Sequence, residues 1–379
     1  MMLNNLMRHR IERKDPVTRN RPPAALRRNP TQSGGASRAL DGSLKLRFAG
    51  SNGRQIECTT AGVALLIAAG LLLAACAGCT RAELKQSSLR AQGRASSSQP
   101  VMLAAYQPWF GGSGHINVGY SSHDRTVLAR QISQAKQLGI AGFVVNWYGK
   151  QHAFEDSSYA LLQQVANGDP DGFKVALMYD ENDSNPSDAT DNVLADLDYA
   201  YHRYIEHSAQ VADNAYLRYN GRPVIFIFPK NGDTDWTRVR QAVNQWEAPP
   251  LLIYKDPSEK WAGDFDGFYA WVQPGQQGWQ KDGSNWGQQY LDYFYRTMTR
   301  NYPQKLAVGG AWPGFNDTRA SWSQNRKMDP RCGRTLEESL QMFHQYYDAS
   351  RPLPFLMIET WNDYEEGTNI EGARRGCHG

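Results

Sequence analysis

Between residues 101 and 363 the chain alternates short apolar runs with longer amphipathic stretches. The runs are VMLAAY (101–106), IAGFVVNWYG (140–149), FKVALMYDEN (173–182), PVIFIFPK (223–230), PLLIYKD (250–256), DGFYAWVQP (266–274), KLAVGGAWPGF (305–315) and PFLMIETWND (354–363). Each is strand-length and continuously apolar, as expected of strands covered on both faces. Most are separated by segments with helical periodicity, at 125–138, 157–166, 189–212, 234–246, 286–300 and 335–349. In the first of these, Val127, Leu128, Ile132 and Ala135 share one face. Alternating strand and helix predicts a parallel α/β architecture, and eight repeats match a (β/α)8 TIM barrel. A doubly wound open sheet is the competing arrangement, but no glycine-rich phosphate loop follows any run. After Asp363 only 16 residues remain, rich in glycine, so the barrel is expected to lack a full eighth helix.

In a barrel all strand ends open on one face, where active sites assemble. Nearly every run here ends in residues able to bind or react: Tyr106-Gln107-Pro108-Trp109, Asn146-Trp147-Tyr148, Tyr179-Asp180-Glu181, Lys230, Tyr254-Lys255-Asp256, Trp271, Trp312, and the burst from Glu359 to Glu366. Aromatic rings beside carboxylates and amides suit carbohydrate. Sugar C–H faces pack on Trp and Tyr, and sugar hydroxyls need polar partners. Candidate contacts on this ground are Tyr179, Trp271, Trp312, Trp361 and Asn362, although Trp361 and Tyr364 could equally cap the barrel core.

Composition divides the chain. Net charge is +3, but residues 1–60 hold twelve Lys/Arg against four acids, so the remainder is net acidic, and all 11 tryptophans follow residue 100. The basic stretch lacks aromatic interleaving and any nucleic-acid reading motif, which argues against nucleic acid as a partner. It reads as disordered or as preceding the true start. It is followed by AGVALLIAAGLLLAACAGC (61–79), long enough for a signal segment and marginal for a membrane span. The ending Leu73-Ala74-Ala75-Cys76 resembles a bacterial lipoprotein signal, with Cys76 as lipid acceptor; an uncleaved anchor is the alternative. Residues 80–100, rich in Ser, Gln and Arg, read as a tether, and 101–379 as the folded domain. The expected location is therefore the cell envelope, facing an oxidising space. Of the 5 cysteines, Cys58, Cys76 and Cys79 flank the apolar segment, leaving Cys332 and Cys377 as a candidate disulfide.

The densest chemistry is TWNDYEEGTNIE (360–371). Glycoside hydrolysis needs a general acid and a second carboxylate at the anomeric carbon. Asp363 and Glu366, three apart in a turn leaving the last strand, can share one cleft, and mutual repulsion would keep a proton on one of them. Glu359, inside the strand, could be a catalyst or a supporting partner. Glu365 is expected to face solvent. The acidic stretch 180–191 places Asp180, Asn182, Ser184 and Asp188 at alternating positions, but Asn185 and Asp191 depart from a calcium loop. It reads better as a cleft loop leading to a helix capped by Ser187 or Asp188, and no metal or cofactor is needed.

The stretch LAAYQPWFGGSGHINVGYSSHDRTVLARQISQAKQLGIAGFVVNWYG, followed much later by ETWNDYEEGTNIE, resembles the barrel enzymes of glycoside hydrolase families 99 and 71. These are endo-α-mannosidases and endo-α-1,3-glucanases. The resemblance implies a glycosidase acting on α-linked mannose- or glucose-containing polysaccharide. It implies Glu366 as general acid/base and Asp363 as its partner carboxylate, an Asp where family 99 has a glutamate. Tyr106, Trp109, His115, Trp147 and Tyr148 fall in the family-99-like opening and are implied sugar contacts. A non-catalytic carbohydrate-binding lipoprotein on the same barrel is the second reading.

Overall fold

The computed structural model describes residues 99–181, 187–206, 215–230, 232–273 and 286–372, all within one compact unit. Outside them lie residues 1–98, with Cys58, the lipidation candidate Cys76 and Cys79, and also Cys377 and residues 182–186 of the acidic stretch.

All eight apolar runs form strands: β1 (Val101–Tyr106), β2 (Gly142–Trp147), β3 (Lys174–Asp180), β4 (Arg222–Phe228), β5 (Leu251–Lys255), β6 (Gly267–Tyr269), β7 (Leu306–Ala311) and β8 (Phe355–Ile358). Each pairs in parallel with the next, and β1 pairs with β8 in the register Val101–Phe355. That pairing closes a TIM barrel and removes the open-sheet alternative.

The helices are α1 (Arg125–Gln137), α2 (Ala153–Asn167), α3 (Ala189–Ala200), α4 (Trp236–Val243), α5 (Gln288–Arg300) and α6 (Arg334–Gln341). α1 starts at Asp124, whose carboxylate accepts the N–H groups of Thr126 and Val127. It buries Val127, Leu128, Ile132 and Ala135, the face read from the periodicity, against the barrel. α3 does begin after Asp188, but neither side chain caps it: Ser187 donates to Asp188 instead. Only turns join β5 to β6, and no helix follows β8 among the described residues.

Strand residues alternate between the barrel interior and the helical layer. Interior positions are crowded, and Gly310 shows it: a Cβ there would lie 2.7 Å from Glu359 Oε1. The other face carries Tyr106, Trp147 and Tyr179, all buried. Burying each such ring contributes roughly 1.5–3 kcal/mol.

Candidate active site

The chain after β8 folds back on itself as a compact turn. Thr360 N–H donates to Thr368 O at 2.9 Å, and Glu371 N–H to Trp361 O at 2.8 Å. Within the turn, one oxygen of Asp363 accepts the N–H groups of Glu365 (3.0 Å) and Glu366 (2.8 Å). The other accepts Gln107 Nε2 at 3.3 Å. Such side-chain-to-backbone bonding two and three residues ahead is what an Asp offers a turn. It sets the Glu366 backbone against the Asp363 carboxylate.

Both acids line a cleft of about 490 Å³ at the strand ends. Burial, followed by the neighbouring Glu366 charge, pushes Asp363 well above the usual carboxylate range. Burial also raises Glu366, opposed by the Trp322 N–H and by Arg326 and Lys255. The pair therefore retains a proton at higher pH than two isolated carboxylates would. Among the described residues Asp363 accepts three N–H donors and Glu366 one; these favour the ionised forms, but for Asp363 burial and the Glu366 charge outweigh them.

The remaining candidates divide by direction. Trp109, His115, Tyr148 and Trp271 line the cleft. Trp109 and His115 stack with centroids 4.5 Å apart and planes 3° apart. Tyr106, Trp147, Tyr179, Trp312, Trp361 and Asn362 do not line it. Tyr106 turns to α1 and donates to Gln131 at 2.8 Å. Trp147 donates to Asp156 of α2 at 3.0 Å, and Tyr179 to Asp196 of α3 at 3.2 Å. Trp312 is fully buried and donates to Trp286 O at 2.7 Å. Trp361 packs on Phe143, so it caps the core. Asn362 clamps the Gln107 backbone, accepting its N–H at 2.7 Å and donating to its carbonyl at 2.9 Å. For Tyr106, Trp147 and Tyr179 the physical reason is the period of two: at a strand end, an aromatic pointing at the helices alternates with a neighbour pointing at the axis. Thus Asn146 and Tyr148 flank Trp147, and Asp180 follows Tyr179, and it is these that reach the cleft.

Glu365 does not face solvent. It is buried, with one oxygen 2.8 Å from His115 Nδ1 and the other accepting the Ile116 N–H at 3.1 Å. Strand alternation, on which the solvent placement rested, has ended by this point. Glu359 is fully buried; one carboxylate oxygen accepts the Val272 N–H, the other has no hydrogen-bond partner among the described residues, and burial raises its pKa well. It lies within the charge reach of Lys255 and Asp256 and does not line the cleft. Asp180 is paired with Lys230 at 2.8 Å and Asp191 with Arg238 at 2.7 Å, which commits two acids of the 180–191 stretch to cations of the chain. Cys332 is disulfide-bonded, with its partner outside the described residues.

Three cleft atoms are buried without a protein partner among the described residues: Gln107 Oε1, Trp109 Nε1 and Asn146 Oδ1. Buried polar atoms are normally satisfied, so a donor and two acceptors left over in one cleft suit a ligand bearing hydroxyls. Lys255, whose pKa burial lowers, also lines the cleft, with its ammonium 3.9 Å from the Phe228 ring centroid. Sequence reasoning missed Trp322 and Arg326, which enter from the β7–α6 loop. Its length was the available signal, since connections beyond about 12–15 residues are usually functional.

The sequence model described as Glycosyl hydrolase family 71 matches residues 115–375, more than half of the chain. No curated protein matches the sequence. Among solved structures, the chain is similar to a glycoside hydrolase family 99 endo-alpha-mannosidase from Bacteroides thetaiotaomicron in complex with BIS-TRIS-propane. The TM-score is 0.55 at 20% identity, covering 72% of this chain and 86% of that one. A second structure of that enzyme gives 0.52 at 20% identity, over 72% and 87%. A "glycoside hydrolase-like protein" gives 0.50 at 16% identity, over 75% and 91%. At these identities the likeness is one of fold.

Proposed function

The chain belongs to glycosyl hydrolase family 71 and is a glycosidase; from that premise we propose that it cleaves α-linked glucose- or mannose-containing polysaccharide with Glu366 as general acid and Asp363 as the partner base. The observation that carries the assignment is the Asp363–Glu366 pair itself. Its two carboxylates are both raised and held three residues apart in one turn, and they open onto the cleft that holds the unpartnered polar atoms.

In this reading the bond between the anomeric carbon and the leaving oxygen breaks while Glu366 gives its proton to that oxygen. The incoming oxygen, from water or from the sugar's own 2-hydroxyl, bonds to the anomeric carbon and yields its proton to Asp363. On the 2-hydroxyl route water then opens the anhydro-sugar, giving a proton to Glu366 while Asp363 returns its proton to the 2-oxygen, so the first step of either route uses the same proton donor and acceptor. Trp109 and Trp271 supply flat faces for sugar rings, and Gln107 and Asn146 supply acceptors for hydroxyls. The choice of α-glucan or α-mannan is supported by the family and by the shared fold with the endo-alpha-mannosidase.

We place the enzyme in a bacterial cell envelope, tethered through Cys76 or an uncleaved helix. Support comes from the arginine-rich flank followed by the apolar segment 61–79 and the Leu-Ala-Ala-Cys ending. Release of reducing sugar from α-1,3-glucan and α-mannan by wild type, absent in Glu366→Gln, tests the catalytic reading. Glycan binding with no product from the wild type would replace it with a binding role.

A further inference from the structure

The segment between β7 and α6 is a small hairpin tied to Glu366 at two points. Phe315–Asn316 pairs antiparallel with Lys327–Met328. The intervening loop is wound about Asp317, which is fully buried and accepts the N–H groups of Gln324 (3.1 Å) and Arg326 (2.8 Å) and the Arg326 Nε (2.7 Å). Burial alone would raise the Asp317 pKa, but these donors outweigh it and hold the carboxyl below its usual range. At the base of the hairpin, Asn316 N–H donates to the Glu366 carbonyl at 2.7 Å. At the tip, Trp322 Nε1 donates to the Glu366 carboxylate at 3.0 Å.

The Trp322 ring is 40% exposed yet sits edge-on to Trp109, with centroids 6.1 Å apart. Arg326 commits its Nε to Asp317 and lies over the Phe315 ring at 5.2 Å. Both residues line the cleft beside Glu366. A general acid protonates the oxygen joining the two sugars, so a large open ring bonded to that acid lies on the path of the departing sugar.

We propose that this hairpin is the leaving-group subsite: Trp322 takes the C–H face of the departing sugar, Arg326 takes its hydroxyls, and the Trp322 N–H sets the protonation of Glu366. The inference rests on the assignment of Glu366 above. It makes the enzyme one that needs a sugar on both sides of the cut.

The test compares polymer with an α-glycosyl fluoride of the same sugar. Fluoride has no sugar on the leaving side and departs without needing a proton. Wild-type turnover of polymer and fluoride first tests the catalytic reading, and the variants then test the hairpin, so the two failures separate. Trp322→Ala is expected to lower the polymer-to-fluoride ratio of kcat/KM by about tenfold or more, as expected for loss of a stacked ring together with a charged hydrogen bond. Trp322→Phe keeps the ring and loses the N–H that favours ionised Glu366, so the alkaline limb of kcat/KM on polymer should move to higher pH. An equal fall on both substrates in Trp322→Ala, or an unmoved alkaline limb in Trp322→Phe, would overturn the proposal.

Discussion

The carboxylate of Asp363 accepts the backbone N–H of Glu366 at 2.8 Å. One acid thereby orients the backbone that carries the other, and the three-residue spacing becomes a fixed relation between two charges. Because burial raises both groups and the Glu366 charge raises Asp363 further, the working state carries one proton between them. Activity should follow a bell. The acid limb, where the pair gains its second proton, should lie above the ordinary Asp value of about 3.9. The alkaline limb, where the pair loses its last proton, should lie above about 4.3. A kcat/KM profile rising at ordinary carboxylate values and flat above them would contradict the paired arrangement.

Glu365 positions His115, which in turn stacks on Trp109. Glu365→Gln keeps the volume but removes the charge from this bond, and the net worth of such bonds is about 1.5–3 kcal/mol. The expected outcome is a KM for glycan raised roughly tenfold, with kcat changed less. A kcat loss with unchanged KM would show that Glu365 acts on the chemistry instead.

Trp147 serves the fold and its neighbour Tyr148 serves the cleft. Trp147→Phe loses the bond to Asp156, whose carboxylate keeps the Tyr199 and Tyr204 hydroxyls, so the cost is that of one bond to a charged group, about 1.5–3 kcal/mol of stability. Its kcat/KM per folded molecule should stay within about twofold, since the residue does not line the cleft. Denaturant unfolding and active-site titration together check this.

The contrast between those two neighbours shows how much was legible beforehand. The eight strands were readable because buried parallel strands are written as continuous apolar runs, and FVVNW or VIFIF admits little else. That same continuity hides which side chains face the axis. A strand apolar on both faces gives no polar alternation to read, so Trp147 and Tyr179 looked as suitable as Tyr148 and Asp180. The pair Asp363 and Glu366 stood out because charge beside an apolar run is conspicuous. Trp322 did not stand out, because it meets Glu366 across 44 residues of sequence. Glu365 was misplaced because strand alternation was carried into a turn.

Glu359 gives a stability signature. Burial raises its folded pKa well above the unfolded value. The neutral form is thus favoured in the folded state. That stability is fully present below about pH 4.3 and lost as pH rises through the folded pKa. Glu359→Gln keeps an oxygen for the Val272 N–H and removes the titration. Its melting temperature should fall less steeply than that of wild type as pH rises from about 5 to 8. Parallel curves for the two proteins would remove Glu359 as the source.

The most direct test of the account is hydrolysis of α-1,3-glucan and α-mannan by Glu366→Gln beside wild type, with thermal melts on both. Loss of the proton donor should cut turnover by at least about a hundredfold. The melting temperature should stay within about 2 °C, because the variant changes one cleft-facing group whose side chain makes a single hydrogen bond among the described residues. Turnover of the variant within about twofold of an active wild type would contradict Glu366 as the general acid.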